Sequence, residues 1–349
     1  MTTPNPRVIF AKIPEAAQGL GGLPLPGEHL VYDDSPVIDL ENVPLNGGFL
    51  TKMLVLSPEP ALRERMRDPK LQSYTTPFIL GAPVIGFGIV VVLRSEKEGI
   101  KVGDYMYGQT PWEAYTVQPY IEVVPNPGGA FPLTRYASLL GTPGLSAFVG
   151  FEGLAEAAPG KTIFVSAGAS GVGSMVVQLS KLKGMKVIAS AGTDEKVEYL
   201  KSLGADVTFN YKKESYSSFL AKNKPFQVYW DNVGGEALEA AIEHIEPFSH
   251  IVCCGSLGDY QRAPEERYGI KNTTLIFKRR LTIRGFLVPD LIPKFAGKFF
   301  AEIPALVAQG KLKGQESIIE GLENAPDAFL KMLKGGESVG KVVVVVAKE

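Results

Sequence analysis

The sequence predicts an α/β chain in two parts: a Rossmann-type, doubly wound parallel sheet and a smaller, mostly β, barrel-like domain. Three observations carry this. From Lys161 to about Val288, strand and helix patterns alternate at the spacing of a parallel sheet with crossover helices. The first strand of that region ends in Gly168-x-x-Gly171-x-Gly173, and a helix pattern follows at once. Residues 1 to about 125 are instead β-rich, irregular and interrupted by Pro and Gly.

In the first part, Arg7–Lys12, Val37–Leu40, Phe49–Leu56, Val84–Leu93 and Trp112–Val117 read as strands. Gly86 and Gly88 predict a bend or bulge in one of them. Gly103-Asp104 is a turn before a strand with Tyr105 and Tyr107, and Ala61–Arg67 is a short helix. The texture changes after Pro125-Asn126-Pro127-Gly128-Gly129. Leu139–Gly153 alternates small and apolar residues, and a helix is expected after it. The strands of the alternating region are Thr162–Ala167, Lys186–Ala191, Val207–Asn210, Gln227–Asp231, His250–Gly255 and Thr282–Val288. Its helices are Ser174–Leu182, Glu195–Leu203, Tyr216–Ala221 and Glu236–Ile245. Ile292–Gly310 has helical spacing with Gly310 at its C-cap. Ala325–Leu333 is a further helix and Val342–Val346 a buried final strand. These last elements lack a glycine turn and are expected to return to the first domain. The expected division is 1–127 with 300–349, a discontinuous domain, and 128–299 as the dinucleotide-binding domain.

Composition narrows the function. Of the 349 residues 45% are apolar, and the net charge is −1, so no field favours nucleic acid or an anionic membrane. The N-terminal residues are polar and no run is long and apolar enough to span a bilayer, so a cytoplasmic location is expected. The two cysteines, Cys253 and Cys254, are adjacent, which makes a disulfide framework implausible. With His29, His244 and His250 they show no zinc-ligand spacing. Gly160-Lys161-Thr162 precedes its strand and lacks the first glycine of a phosphate loop, because position 155 is alanine. No Gly-x-Ser-x-Gly elbow surrounds Ser170.

A strand, a glycine turn and a helix N-terminus in that order bind phosphate. The end of the second strand separates the dinucleotides, because NAD sites place an acid there for the ribose 2′-hydroxyl. Here the strand ends Ala189-Ser190-Ala191-Gly192, and Asp194, Glu195 and Lys196 come just beyond it. Small residues leave room for a 2′-phosphate and Lys196 can neutralise it, although a lone lysine in a first helical turn is by default solvated. Asp231-Asn232-Val233-Gly234-Gly235 and Cys254-Gly255-Ser256-Leu257-Gly258-Asp259-Tyr260 end the fourth and fifth strands on the carboxyl edge. Asn and Gly also favour plain turns. Cys254 reads more readily as a packed small residue than as a redox thiol.

Taken in order, these phrases resemble the medium-chain dehydrogenase/reductase superfamily, and within it the zinc-free NADP-dependent double-bond reductases, including 2-alkenal reductases and prostaglandin reductase (leukotriene hydroxydehydrogenase). Trp112-Glu113-Ala114-Tyr115, Gly141–Ala147, Ser166–Gly173, Ala191–Lys196, Phe209-Asn210-Tyr211-Lys212, Asp231–Gly235 and Gly285–Val288 carry the likeness. The resemblance implies a GroES-like substrate domain, a homodimer and NADP(H) as cofactor. It implies that Ala169, Ser170, Gly171 and Val172 hold the pyrophosphate, and that Lys196 and Tyr211 contact the 2′-phosphate. Asn232, the loop Cys254, Gly255, Ser256 to Tyr260, and Phe286, Leu287 and Val288 would line the nicotinamide side, with Ser338 near the cofactor. Two positions depart from the family: Ala61 replaces a tyrosine in Asp-Pro-Tyr-Met, and Ser338 replaces an asparagine before Gly340-Lys341.

The reaction so implied is NADPH-dependent reduction of the C=C bond of an α,β-unsaturated aldehyde or ketone. Tyr260 is the catalytic residue, weighted toward stabilising the enolate because a phenol of pKa near 10 is a poor free acid at pH 7. The nicotinamide ribose 2′-hydroxyl is a second donor by resemblance. A quinone reductase of the same superfamily and a non-catalytic NADPH-binding redox sensor are the alternatives.

Overall fold

In a computed structural model, residues 2–14, 22–119, 121, 130–335 and 338–348 are described. The turn phrase Pro125–Gly129 and the expected division at 127/128 lie outside them. The chain forms two compact units: Met1–Gly141 with Glu316–Ser338 and Val342–Glu349, and Thr142–Gln315 with Val339–Lys341.

The first unit opens with β1 (Thr2–Pro4), β2 (Arg7–Phe10), β3 (Leu30–Asp33), β4 (Val37–Asp39) and β5 (Phe49–Ser57). A one-turn helix α1 (Leu62–Arg65) precedes β6 (Ile85–Ser95), β7 (Tyr105–Pro111), β8 (Tyr115–Gln118) and α2 (Leu133–Tyr136). β5 is buried at eight of its nine residues, as expected for a central strand that is apolar on both faces. It pairs antiparallel with β6, and shifts of register fall between Leu50 and Thr51 and between Met53 and Val55. The irregularities therefore do not fall opposite Gly86 and Gly88, where a bulge was expected. Those glycines admit close neighbours instead: a Cβ on Gly86 would lie 2.8 Å from the Trp112 indole nitrogen, and one on Gly88 3.0 Å from the Met53 sulfur. Val8, Phe10, Phe49, Met53, Trp112, Phe329 and Val344 belong to one core.

The second unit is the parallel one. It contains α3 (Thr142–Leu154), β9 (Thr162–Val165), α4 (Gly171–Leu182), β10 (Lys186–Ala191), α5 (Asp194–Ser202), β11 (Val207–Asn210), α6 (Tyr216–Lys222), β12 (Val228–Asp231), α7 (Gly235–His244), β13 (His250–Cys253), α8 (Thr274–Arg279), β14 (Thr282–Gly285) and α9 (Val288–Ala308). The sheet order is β11-β10-β9-β12-β13-β14. All its pairings are parallel. Order therefore reverses between β9 and β12, and in such sheets ligands bind outside the carboxyl ends at that point. β9 and β12 are buried at every position. Phe164 lies 4.9 Å from Tyr229, ring over ring, at the centre of this core.

Of the boundaries that differ from expectation, three have a visible packing or hydrogen-bonding cause. The helix stands on Thr142–Leu154 itself, because its small residues let large ones approach: a Cβ on Gly150 would lie 2.5 Å from Phe286 and 2.7 Å from Trp230. β14 stops at Gly285 and not at Val288, since Phe286 turns onto Trp230 (6.0 Å between rings) and Pro289 in the first turn favours the start of α9. β13 stops at Cys253, because the backbone N–H groups of Cys254 and Gly255 both turn to the Asp231 carbonyl. The helix α9, whose end the sequence assigned to the first domain, lies in the second unit.

The chain completes the first unit with β15 (Glu316–Glu320), α10 (Ala325–Lys334) and β16 (Lys341–Val345). They extend the first sheet in the order β15-β16-β5-β6-β7, with β8 on β5. The barrel-like expectation is corrected here: among the described residues the sheet stays open, with β15 and β7 at its ends.

Candidate functional site

The site grows from the end of β9. Ala167 has φ +46° and starts the turn. Gly168 packs under it, since a Cβ there would lie 3.0 Å from Leu200 and 3.1 Å from Ala189. Gly173 is required by the fold: its Cβ would lie 2.3 Å from the Ala167 carbonyl oxygen. Two of the three glycines thus serve strand–helix packing, the role of the last glycine in dinucleotide turns. Ser170 is the N-cap of α4, and its Oγ accepts the Gly173 N–H at 3.0 Å. The Gly171 and Val172 N–H groups in the first turn of α4 have no i−4 carbonyl within the helix, which suits a phosphate. Gly340 lies beside this turn, paired with Ser170 and donating its N–H to the Ala169 carbonyl at 3.1 Å.

The loop after β12 is stitched to the same turn. The Asn232 N–H donates to Ser166 Oγ at 3.0 Å and its Nδ2 to the Ser166 carbonyl at 2.7 Å. Asn232 Oδ1 accepts the Trp230 indole N–H at 3.1 Å. Asp231 sits below, 1% exposed. Its Oδ1 accepts from Tyr229 Oη at 2.7 Å and from the N–H groups of Val233 and Gly234, both at 2.9 Å. Burial nevertheless pushes the Asp231 carboxyl up from its ordinary value. The Asn232 side chain is thus a structural brace, directed to Ser166 and Trp230.

The loop after β13 lies on that brace. Leu257 N–H donates to the Asn232 carbonyl and Gly258 N–H to that of Val233, both at 3.0 Å. Gly234, at φ +72°, admits Ser256, whose Oγ would lie 2.5 Å from a Cβ there. The Ser256 hydroxyl donates to Asp259 Oδ2 at 2.7 Å. Tyr260 folds back over its own loop, with Oη 3.5 Å from the Ser256 nitrogen. Burial first, and the Asp231 carboxylate second, push the Cys253 and Cys254 thiols up to about 12.

At the end of β10, Thr193 Oγ1 caps α5 by accepting the Lys196 N–H at 3.3 Å. Tyr211 donates its backbone N–H to the Ala191 carbonyl at 3.1 Å, and its hydroxyl would lie 3.0 Å from a Cβ on Gly192. Lys196 is half-buried; burial, then the neighbouring Lys212, lowers its ammonium from the ordinary value. Burial raises the Tyr211 phenol.

The second unit therefore brings together Ala169–Val172, Asn232 and Cys254–Tyr260 at the strand ends, and Lys196 and Tyr211 at the β10 edge. Phe286 is packed on Trp230, Leu287 is 39% exposed and Val288 opens α9. Ser338 belongs to the first unit. The sequence reading missed the Ser166–Asn232 brace and the nearness of Lys212 to Lys196. Asp231-Asn232 was visible as a turn, but its partner Ser166 lies far away in the chain, just past the end of β9.

Residues 171–304 match the zinc-binding dehydrogenase family and residues 38–125 the N-terminal domain of oxidoreductases. The chain is 36% identical to dehydrogenase FUB6 of Gibberella moniliformis, covering 98% of each chain. It is 36% identical to the NADP(+)-dependent 2-alkenal reductase of Nicotiana tabacum, covering 86% of this chain and 88% of that one. Among solved structures it is similar to CurA of Vibrio vulnificus in complex with NADPH, with TM-score 0.87, 28% identity and 99% of this chain covered against all (100%) of the other. Among the described residues no group of three His, Cys, Asp or Glu side chains is placed to hold a metal ion. The parallel sheet, its glycine turn and these likenesses agree: the chain belongs to the medium-chain dehydrogenase/reductase superfamily of oxidoreductases.

Proposed function

We propose that the chain is an NADPH-dependent reductase of the C=C bond in α,β-unsaturated aldehydes or ketones. The observation that carries this reading is Tyr260, held on a loop that lies directly on the Asn232–Val233 backbone at the strand ends. The likeness to a 2-alkenal reductase across most of the chain supports it. Ala169 to Val172 and the N-terminus of α4 receive the pyrophosphate, and Lys196 with Tyr211 the 2′-phosphate. When bound, NADPH supplies a hydride to the substrate β-carbon. Negative charge then develops on the substrate carbonyl oxygen. The Tyr260 hydroxyl is the donor that stabilises this enolate. A proton from Tyr260 or water completes the reduction at the α-carbon. The Asn232 brace contributes by fixing the loop that carries Tyr260. The first unit is the substrate domain in this reading.

The test is NADPH oxidation with an alkenal, a cyclic enone and a quinone, with product analysis. A saturated carbonyl product is expected. Turnover confined to the quinone, or no turnover with any acceptor, overturns the proposal.

A further inference from the structure

Asp194 opens α5 just beyond the end of β10, the strand end at which NAD sites place an acid for the ribose 2′-hydroxyl. In this chain its carboxylate is already committed. Asn210 Nδ2 donates to Oδ1 at 3.0 Å, and Lys213 Nζ donates to Oδ2 at 2.5 Å. Asn210 is itself held, because its Oδ1 accepts the Lys212 N–H at 3.0 Å. These two bonds hold the Asp194 carboxyl below its usual range. The same turn sends Tyr211 to Gly192 and sets Lys212 near Lys196. The edge Gly192–Lys196 and the turn Asn210–Lys213 thus form one face, with two adjacent lysines and a paired acid.

We infer that Asn210 and Lys213 are specificity determinants for NADP(H) over NAD(H), acting by binding the Asp194 carboxylate. Free, that group would accept from a ribose 2′-hydroxyl and repel a 2′-phosphate. Bound, with one hydrogen bond on each oxygen and its charge offset by Lys213, it does both more weakly. The inference rests on the reading of Lys196 and Tyr211 as the 2′-phosphate site. Asp194 and Lys213 are 65% and 67% exposed, so solvent and salt moderate the effect.

The experiment measures dissociation constants of NADPH and NADH, by nicotinamide fluorescence at low ionic strength, for the full chain and for K213M, K213M/D194N and K196A. Binding is read without turnover, so the substrate class does not enter. K213M is expected to reduce NADPH-over-NADH selectivity roughly 2- to 5-fold, and D194N added to it to restore the selectivity. A purely structural role of Lys213 would weaken both cofactors alike. An unchanged ratio in K213M, or no restoration by D194N, while K196A lowers the ratio, overturns this inference alone. An unchanged ratio in K196A as well overturns the 2′-phosphate reading and the inference with it.

Discussion

The Asn232 side chain donates through Nδ2 to the Ser166 carbonyl at 2.7 Å and accepts the Trp230 indole N–H at 3.1 Å. Asn232 is 5% exposed and the Ser166 side chain fully buried, so water cannot replace these partners. Asn232→Ala leaves a buried carbonyl and an indole N–H unpaired, and the expected loss is about 1–3 kcal/mol of stability. Urea unfolding of the variant measures it. An unchanged midpoint would show that the brace contributes nothing.

The glycine turn separates packing from ligand approach. Gly173→Ala places a Cβ 2.3 Å from the Ala167 carbonyl oxygen, which is backbone and cannot move away cheaply. A destabilisation of roughly 1–3 kcal/mol or more is expected, with weaker NADPH binding. Gly171→Ala meets the Lys341 and Pro143 side chains at 3.3 Å, a contact that small shifts relieve. Thermal midpoints should fall clearly for the first and little for the second. Equal falls would contradict the packing assignment.

Lys196→Ala is expected to weaken NADPH binding roughly 10- to 100-fold, the worth of a charge-assisted bond to phosphate, with little effect on NADH. Paired titrations with the two cofactors give the answer. Equal weakening of both removes Lys196 from the 2′-phosphate site.

Tyr260→Phe keeps the ring on its loop and removes the donor. Turnover of an alkenal should drop by roughly 10²-fold or more while the NADPH dissociation constant moves little. Steady-state kinetics with a binding titration separates the two, and full turnover would exclude Tyr260 from the chemistry.

With both thiols pushed up to about 12, ~10⁻⁴ of each is thiolate at pH 8. Iodoacetamide at pH 8 should therefore leave Cys253 and Cys254 of the folded chain unmodified over a period that alkylates both in denaturant. Mass spectrometry reads the difference, and rapid native labelling of Cys254 would point to a reactive thiol at the strand ends.

The sequence by itself determined the parallel sheet, its alternation of strands and helices and the turn from Gly168 to Gly173. These depend on local patterning: β-branched runs, glycine punctuation and helix periodicity act within a few residues. The cap at Thr193 came only from the structure. Only the tertiary structure decided that Gly168 and Gly173 serve packing, that Asn232 braces Ser166, and that Asp194 is bound by Asn210 and Lys213. Each of these joins residues from different strands or helices. The open first sheet likewise depends on which strands pair. Periodicity names a residue's face, but hydrogen-bond partners across a sheet are set by register, and register exists only once the strands have assembled.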